Sequence, residues 1–356
     1  MNEFLHVFGP GFIVMEADND AGGVLTYWSS GASMLWPTLL MVAALLIPTY
    51  LVQEAALRAG IATGSGHMKL IFHRFGRFWG FLIMGLMLAI NLMTLVTEFS
   101  AGVQLSKHWG IDYKVLPAFL ALISVLIIMI RNYWLWEKVM IALCGLDIIW
   151  FFKALMTPAA AHVAVQASGS VWMQIVGLIG TTIAPWQIYF QQRCVVDKGI
   201  KSIFYERLDT FLSAVFTILA AMAMAYVGYL KQSAEPDTWL WLNAALLGTV
   251  AVSLTNSWII DDYEFNGRFG DSHIRAIFIV SVVIGLIATL IPGMPLDFIS
   301  ILVQDMAAIV LPLSLVTLGI LVNDELTMGF YVGRGWVQYV LAVVLTVSII
   351  VSAFGS

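Results

Sequence analysis

Residues 9–31 read GPGFIVMEADNDAGGVLTYWSSG and set Glu16, Asp18 and Asp20 inside an apolar segment that runs directly into Gly22 and Gly23. A carboxylate near the middle of a bilayer costs about 2.5–3.5 kcal/mol, so each acid there needs a partner, a water-filled cavity or an ion. Asp20 lies midway along the segment, and a Gly pair directly after it is a place where a helix unwinds cheaply. An unwound turn would expose backbone carbonyls beside a carboxylate, which is the donor chemistry of a hard cation. A kinked helix with Asp20 hydrogen-bonded to a neighbour would use the same residues structurally, and this stretch alone does not separate the two.

A second interruption sharpens the reading. GTTIAPWQIYFQQ, residues 180–192, places Pro185 inside another apolar run, where it removes a backbone donor and frees the carbonyl one turn earlier, near Thr181. Paired broken helices in corresponding halves of a chain point to a transporter site at the membrane midplane. On a regular helix Glu16 shares the face of Asp20 and reads as a second ligand position or a station on an exit path. Asp18 falls roughly opposite and reads as a packing partner. Elsewhere Gln304, Asp305, Asp147 and Glu98 read as inter-helix partners, with Glu98 placed to meet Arg275.

The elements that must position these residues are membrane helices. The chain has 356 residues, 60% of them hydrophobic and 11% charged, with a mean hydropathy of +0.90, which excludes a water-soluble protein. Apolar stretches of about 20 residues, enough to cross a bilayer, predict eleven spans at 10–30, 35–57, 78–102, 115–131, 136–156, 172–194, 207–229, 239–260, 274–292, 298–322 and 336–353. Runs this long are helices rather than barrel strands, so the fold is expected to be all-α. Counting loops through these spans puts thirteen of the seventeen Lys and Arg residues on the side of the N-terminus and only Lys107, Lys114, Lys153 and Lys231 on the other. The positive-inside rule makes the N-terminus cytoplasmic and the C-terminus external. The first segment has no preceding Lys or Arg and no small-residue cleavage site, so it is expected to belong to the mature fold. Cys144 and Cys194 read as small packing residues, with neither a disulfide nor a metal assigned.

These residues together resemble the Nramp divalent-metal transporters. Asp20-Ala21-Gly22-Gly23 resembles that family's first-helix Asp-Pro-Gly-Asn, and Gly180 to Gln187 (GTTIAPWQ) resembles its sixth-helix Gly-Ala-Thr-Ile-Met-Pro-His-Asn. QEAALRAGIATG at 53–64, Glu98, WE at 136–137, VQDMAAIVLP at 303–312 and NDELTMG at 323–329 extend the resemblance over nearly the whole chain. It implies a single transmembrane domain over 1–356 with a LeuT-like inverted repeat, helices 1 to 5 (about 8–156) and 6 to 10 (about 172–322), with helices 1 and 6 broken, and an extra helix at about 336–353. It implies a metal held by Asp20, the Thr181 carbonyl and Gln304, with Gln187 and Glu16 as additional or water-mediated ligands.

The departures matter as much. The family's Asn is Gly23 here, its soft Met ligand is Ala184, and its sixth-helix His is Trp186. A second His is Gln191, and the acid three positions before Glu98 is Leu95. Losing the thioether and the amide removes a soft ligand and enlarges the site, which suits a hydrated hard cation, and neither Trp nor Leu carries protons. The pattern resembles the Nramp-related magnesium transporter branch. The expected function is therefore import of Mg2+ and Mn2+ by alternating access without obligatory proton coupling. The ion is substrate rather than cofactor, the solvent is the lipid bilayer, and neither nucleic acid nor an obligate protein partner is implied. A proton-coupled Mn2+/Fe2+ importer and, more distantly, a LeuT-like organic-solute symporter remain as alternatives. An intramembrane hydrolase is disfavoured because the chain has neither HExxH nor GxSxG, so an enzyme is not expected.

Overall fold

The computed structural model describes residues 7–160, 171–233 and 235–332, and within them every regular element is helical. In chain order these are α1 (Pro10–Asp18), α2 (Ala21–Thr63), α3 (His67–His108), α4 (Val115–Ile128), α5 (Tyr133–Cys144), α6 (Ile148–Met156), α7 (Val171–Thr182), α8 (Pro185–Lys198), α9 (Ile203–Lys231), α10 (Trp239–Glu264), α11 (Ser272–Thr289), α12 (Leu296–Val322) and the short α13 (Glu325–Met328). A 3-10 turn at Gly145–Asp147 joins α5 to α6. Among the described residues seven helices are long and apolar enough to cross a membrane, and the chain is a multi-pass membrane protein. The span expected at 336–353 lies outside the described residues.

The start and stop residues are chemical. Pro10 and Pro185 open α1 and α8, where a missing N–H costs nothing. Asn132 caps α5 through Leu135 N–H, and left-handed Gly64 and Gly199 close α2 and α8. Two helices are longer than one bilayer crossing because each contains a break. At Met34 (φ −149°, ψ 70°) α2 leaves helical geometry. Tyr27 and Thr49, which a continuous helix would hold about 33 Å apart, both reach Thr182, through its hydroxyl at 2.8 Å and its carbonyl at 3.5 Å respectively. The chain therefore folds back at Met34, and α2 supplies the end of the first span and all of the second. Gly76 (φ +81°) breaks α3 in the same way, near the expected start of the third span.

Large aromatics fill the interior. Trp28, Trp136, Trp150, Trp186, Trp241 and Trp258 are all fully buried, while Trp36, Trp79, Trp109, Trp172 and Trp239 are exposed.

Ion pairs gather the helix ends that the loop count assigns to the N-terminal side. Lys198 Nζ donates to the Val7 and Phe8 carbonyls at 2.9 and 2.8 Å and pairs with Glu137 at 2.8 Å. Asp209 accepts the N–H groups of Gly9 and Gly11 at 3.1 and 2.9 Å. Arg207 donates to Glu54 at 2.6 Å, and Arg193 meets Asp197, Asp261 and Asp262. This basic face is thus tied shut around the start of α1. On the opposite face a cavity of about 340 Å³ is lined by Gln104, His108, Ser233, Glu235, Pro236, Asp237 and Trp241.

Candidate functional site

The two breaks bring four helix ends together. α1 stops at Asp18, Asn19 and Asp20 leave the helix, and Asp20 caps α2 by accepting Gly23 N–H on Oδ1 at 2.7 Å. α7 stops at Thr182, and Ala184 is the last residue before Pro185 opens α8. α2 packs on both α7 and α8, and α1 packs on α8. The carbonyl ends of α1 and α7 carry the partial negative charge of their helices. Pro185 has no N–H to give the Thr181 carbonyl.

The break is not where the Gly pair suggests. Gly22 and Gly23 lie in the first turn of α2, and the unwound residues are Asn19 and Asp20. What the glycines supply is room. A Cβ on Gly22 would overlap Gln304 Nε2, and one on Gly23 would lie 2.9 Å from the Asp18 carbonyl and 3.2 Å from Thr181 Oγ1. A Cβ on Gly180 would overlap the Gln304 backbone carbonyl, so α12 is pressed against α7 at the same level. Asp20, Thr181 and Gln304, three of the expected ligands, are in this way seated around one short turn. The Asp305 side chain lies outside the described residues.

Two acids stand elsewhere than a continuous helix would put them. Asp18 does not face away. It is buried, with the Gln187 amide against its carboxylate and Asp20 close by. Glu16, expected on the face of Asp20, turns instead to Thr217 Oγ1 on α9 and to Asp147. The physical reason is the break itself. Spacing of four residues predicts a shared face only when the helix is continuous between them, and here it ends at Asp18.

The remaining expected ligand, Gln187, accepts Gln53 Nε2 on its Oε1 at 2.8 Å, with its amide against the Asp18 carboxylate. Thr181 Oγ1 is buried and unpartnered. Glu98 does not meet Arg275. Its Oε2 accepts Ala21 N–H at 3.0 Å, and its carboxyl lies against that of Asp20. Trp241 Nε1 donates to the Ala21 carbonyl at 2.9 Å, so the wall of the cavity on the opposite face is bonded to the residue next to Asp20. Spacing on an assumed intact helix hid Asp18. Glu98 and Gln53 are brought to the site by packing between elements distant in sequence, for which a single sequence carries no signal beyond their polarity in apolar segments.

The positions that depart from the family pattern are packing sites. Trp186 is 2% exposed and stands edge-on to Phe190 with ring centres 5.8 Å apart. Leu95 is buried. Gln191 donates to Glu206 at 3.1 Å and to Thr210 at 3.3 Å. Ala184 caps the start of α8 with a side chain too small to reach an ion.

As an ensemble these groups can bind a cation. Asp18, Asp20, Thr181, Gln187 and Gln304 lie at these helix ends, and the buried Thr181 hydroxyl has no partner, which is costly unless a ligand or water completes it.

Solved structures share this fold. A manganese transporter of Eremococcus coleocola, in complex with an aromatic bis-isothiourea substituted compound, superposes with a TM-score of 0.81 at 15% identity over 98% of this chain and 85% of that one. Mhp1, a nucleobase-cation-symport-1 family transporter in a closed conformation with bromovinylhydantoin bound, gives 0.62 at 12% identity over 98% and 92%. MhsT in complex with L-phenylalanine gives 0.56 at 12% identity over 96% and 98%. The architecture is therefore LeuT-like. A search of curated protein sequences returns no match. The sequence profile of the family described as natural resistance-associated macrophage protein-like (Nramp) matches residues 11–228 and 241–355, and with both broken helices inside the matched region, this chain belongs to the Nramp family.

Proposed function

We propose that this protein carries hydrated Mg2+, and Mn2+ with it, into the cytoplasm by alternating access, down the electrochemical gradient and without obligatory proton coupling. The basic face is the cytoplasmic one in this reading, by the positive-inside rule. Asp20 is the charged anchor, with Asp18 beside it. The Thr181 carbonyl, Gln304 and Gln187 are neutral oxygen donors, and waters complete the octahedron that Mg2+ prefers. The inverted repeats at about 8–156 and 172–322 are the two halves that rock about this site.

The observation that supports the proposal is the set of side chains gathered at the two breaks. They offer oxygens, and the position at the second break where the family pattern has a thioether holds Ala184. Oxygen-only sites suit hard ions, whereas a sulfur ligand favours softer transition metals.

A second reading is a proton-coupled Mn2+/Fe2+ importer, favoured by one contact: the carboxyl groups of Asp20 and Glu98 lie against each other. Proteoliposomes enclosing a Mg2+ dye and a pH dye separate the two. Metal entry with a flat internal pH is expected, and stoichiometric acidification during Mg2+ entry would replace the first reading with the second. Restoring the missing thioether supplies an independent check. Ala184→Met should raise the ratio of Mn2+ to Mg2+ uptake by about tenfold, equivalent to about 1.4 kcal/mol of differential binding, in competition assays on the same vesicles.

A further inference from the structure

The first helix break carries a second set of buried oxygens that the Asp20 site does not use. Glu16 turns its Oε1 to the Thr217 hydroxyl on α9 and lies against the carboxyl of Asp147, the last residue of the 3-10 turn that interrupts the fifth span. Both acids are fully buried. Apart from their contact with each other, Glu16 Oε2 and both oxygens of Asp147 have no hydrogen-bond partner. Among the described residues neither acid forms an ion pair with Lys, Arg or His.

An amide outside the acid pair is bonded to the same threonine. Asn19, one of the two unwound residues, donates its Nδ2 to the Thr217 carbonyl at 3.3 Å. Its Oδ1 is fully buried with no donor. Thr217 thus joins the two groups, holding Glu16 with its hydroxyl and Asn19 with its carbonyl. Two buried carboxylates and a buried amide oxygen, joined through one threonine with no cationic side chain paired to them, leave a deficit of positive charge in the membrane interior.

We propose that Glu16, Asp147, the Asn19 amide oxygen and the Thr217 hydroxyl form a second divalent-cation station, separate from the Asp20 site. Two carboxylates balance the charge of a divalent ion. Mg2+ and Mn2+ accept one or two carboxylates with neutral oxygens and complete their shell with water. The donors come from α1, the break, the 3-10 turn and α9, so the station forms only where those elements meet. Glu16 lies on the part of α1 between Asp20 and the basic face, which makes the station the next stop for an ion released from Asp20 toward the cytoplasm. The proposal rests on the reading of the chain as a metal transporter, but its test does not depend on transport.

Mn2+ titration of the purified full chain in detergent, followed by the loss of the free-ion electron paramagnetic resonance signal, counts the sites. Two ions per chain are expected for the wild type. One is expected for each of Glu16→Gln, Asp147→Asn and Asp20→Ala, and none for Glu16→Gln combined with Asp20→Ala. Asn19→Ala should weaken the second site about tenfold without removing it. The amide variants keep side-chain shape and relieve repulsion between acids, so their metal-free melting temperature should not fall, which guards against misfolding as the cause of a lost site. A count that stays at the wild-type value in both Glu16→Gln and Asp147→Asn overturns the proposal, and would mean that the two acids share a proton instead. Transport persisting in Asp20→Ala would remove the Asp20 reading while leaving the count at Glu16 and Asp147 to stand or fall alone.

Discussion

Asp20→Asn should reduce metal uptake by at least about 100-fold, a loss of about 2.7 kcal/mol of ion stabilisation, while leaving the protein folded. Asp20→Ala should abolish uptake as well, but it confounds two roles. The Asp20 side chain caps α2 through Gly23 N–H, and losing a cap costs about 1 kcal/mol by itself. Asparagine is as good a cap as aspartate and preserves the carbonyl oxygen, so the amide variant isolates the charge. The expected pattern is a similar transport loss in both variants and a lower melting temperature in Asp20→Ala alone. Wild-type uptake by Asp20→Asn would remove Asp20 as the anchor and shift attention to Asp18, the neighbouring buried acid.

The largest effect on stability is expected at Arg193. Its guanidinium donates to Asp262 at 2.6 Å and Asp261 at 3.0 Å and lies 3.3 Å from Asp197, with its side chain 7% exposed. Burial alone favours the neutral form of such acids, and Arg193 is what makes several charges tolerable at one place. Asp261 has a further partner in His273 Nε2, at 2.6 Å. Removing one member of a buried ion network leaves the others uncompensated, at a cost of about 3–5 kcal/mol. Arg193→Ala should therefore melt well below the wild type, a difference readable by thermal denaturation in detergent. Arg193→Lys should recover only part of the loss, since a point charge cannot match a planar fork that serves several acceptors. A melting temperature within a degree or two of the wild type in Arg193→Ala would show that the acids find other partners.

Much of this architecture is legible in the sequence because hydropathy is a local signal. The ten expected spans within the described residues match helices to within a few residues, with exceptions that have causes. The first two spans run together as Ala21–Thr63, and only the backbone angles at Met34 separate them. No Gly or Pro stands at Met34 to announce the turn; Pro37 lies three residues on, inside the helix. The fifth span conceals a 3-10 turn at Gly145–Asp147. Breaks at Asp20 and Pro185 are visible because a buried acid and an intramembrane proline are chemically conspicuous. The side from which each acid faces the site is not. Asp18 and Glu16 take neighbours that a turn count does not predict, because it presumes the helix that breaks between them and Asp20, and Asp147 meets Glu16 only through the packing of distant segments.

The polar clamp at the start of α1 has a kinetic meaning. Lys198 holds two backbone carbonyls and Glu137, while Asp209 holds two backbone N–H groups. Swinging that end of the helix would require these bonds to break almost together before water can replace them. Such a step has a high activation enthalpy and little early compensation. Because Lys198 and Glu137 are almost wholly shielded from solvent, mobile ions outside would scarcely lower the barrier. Opening of this face is then expected to be thermally steep and nearly deaf to ionic strength.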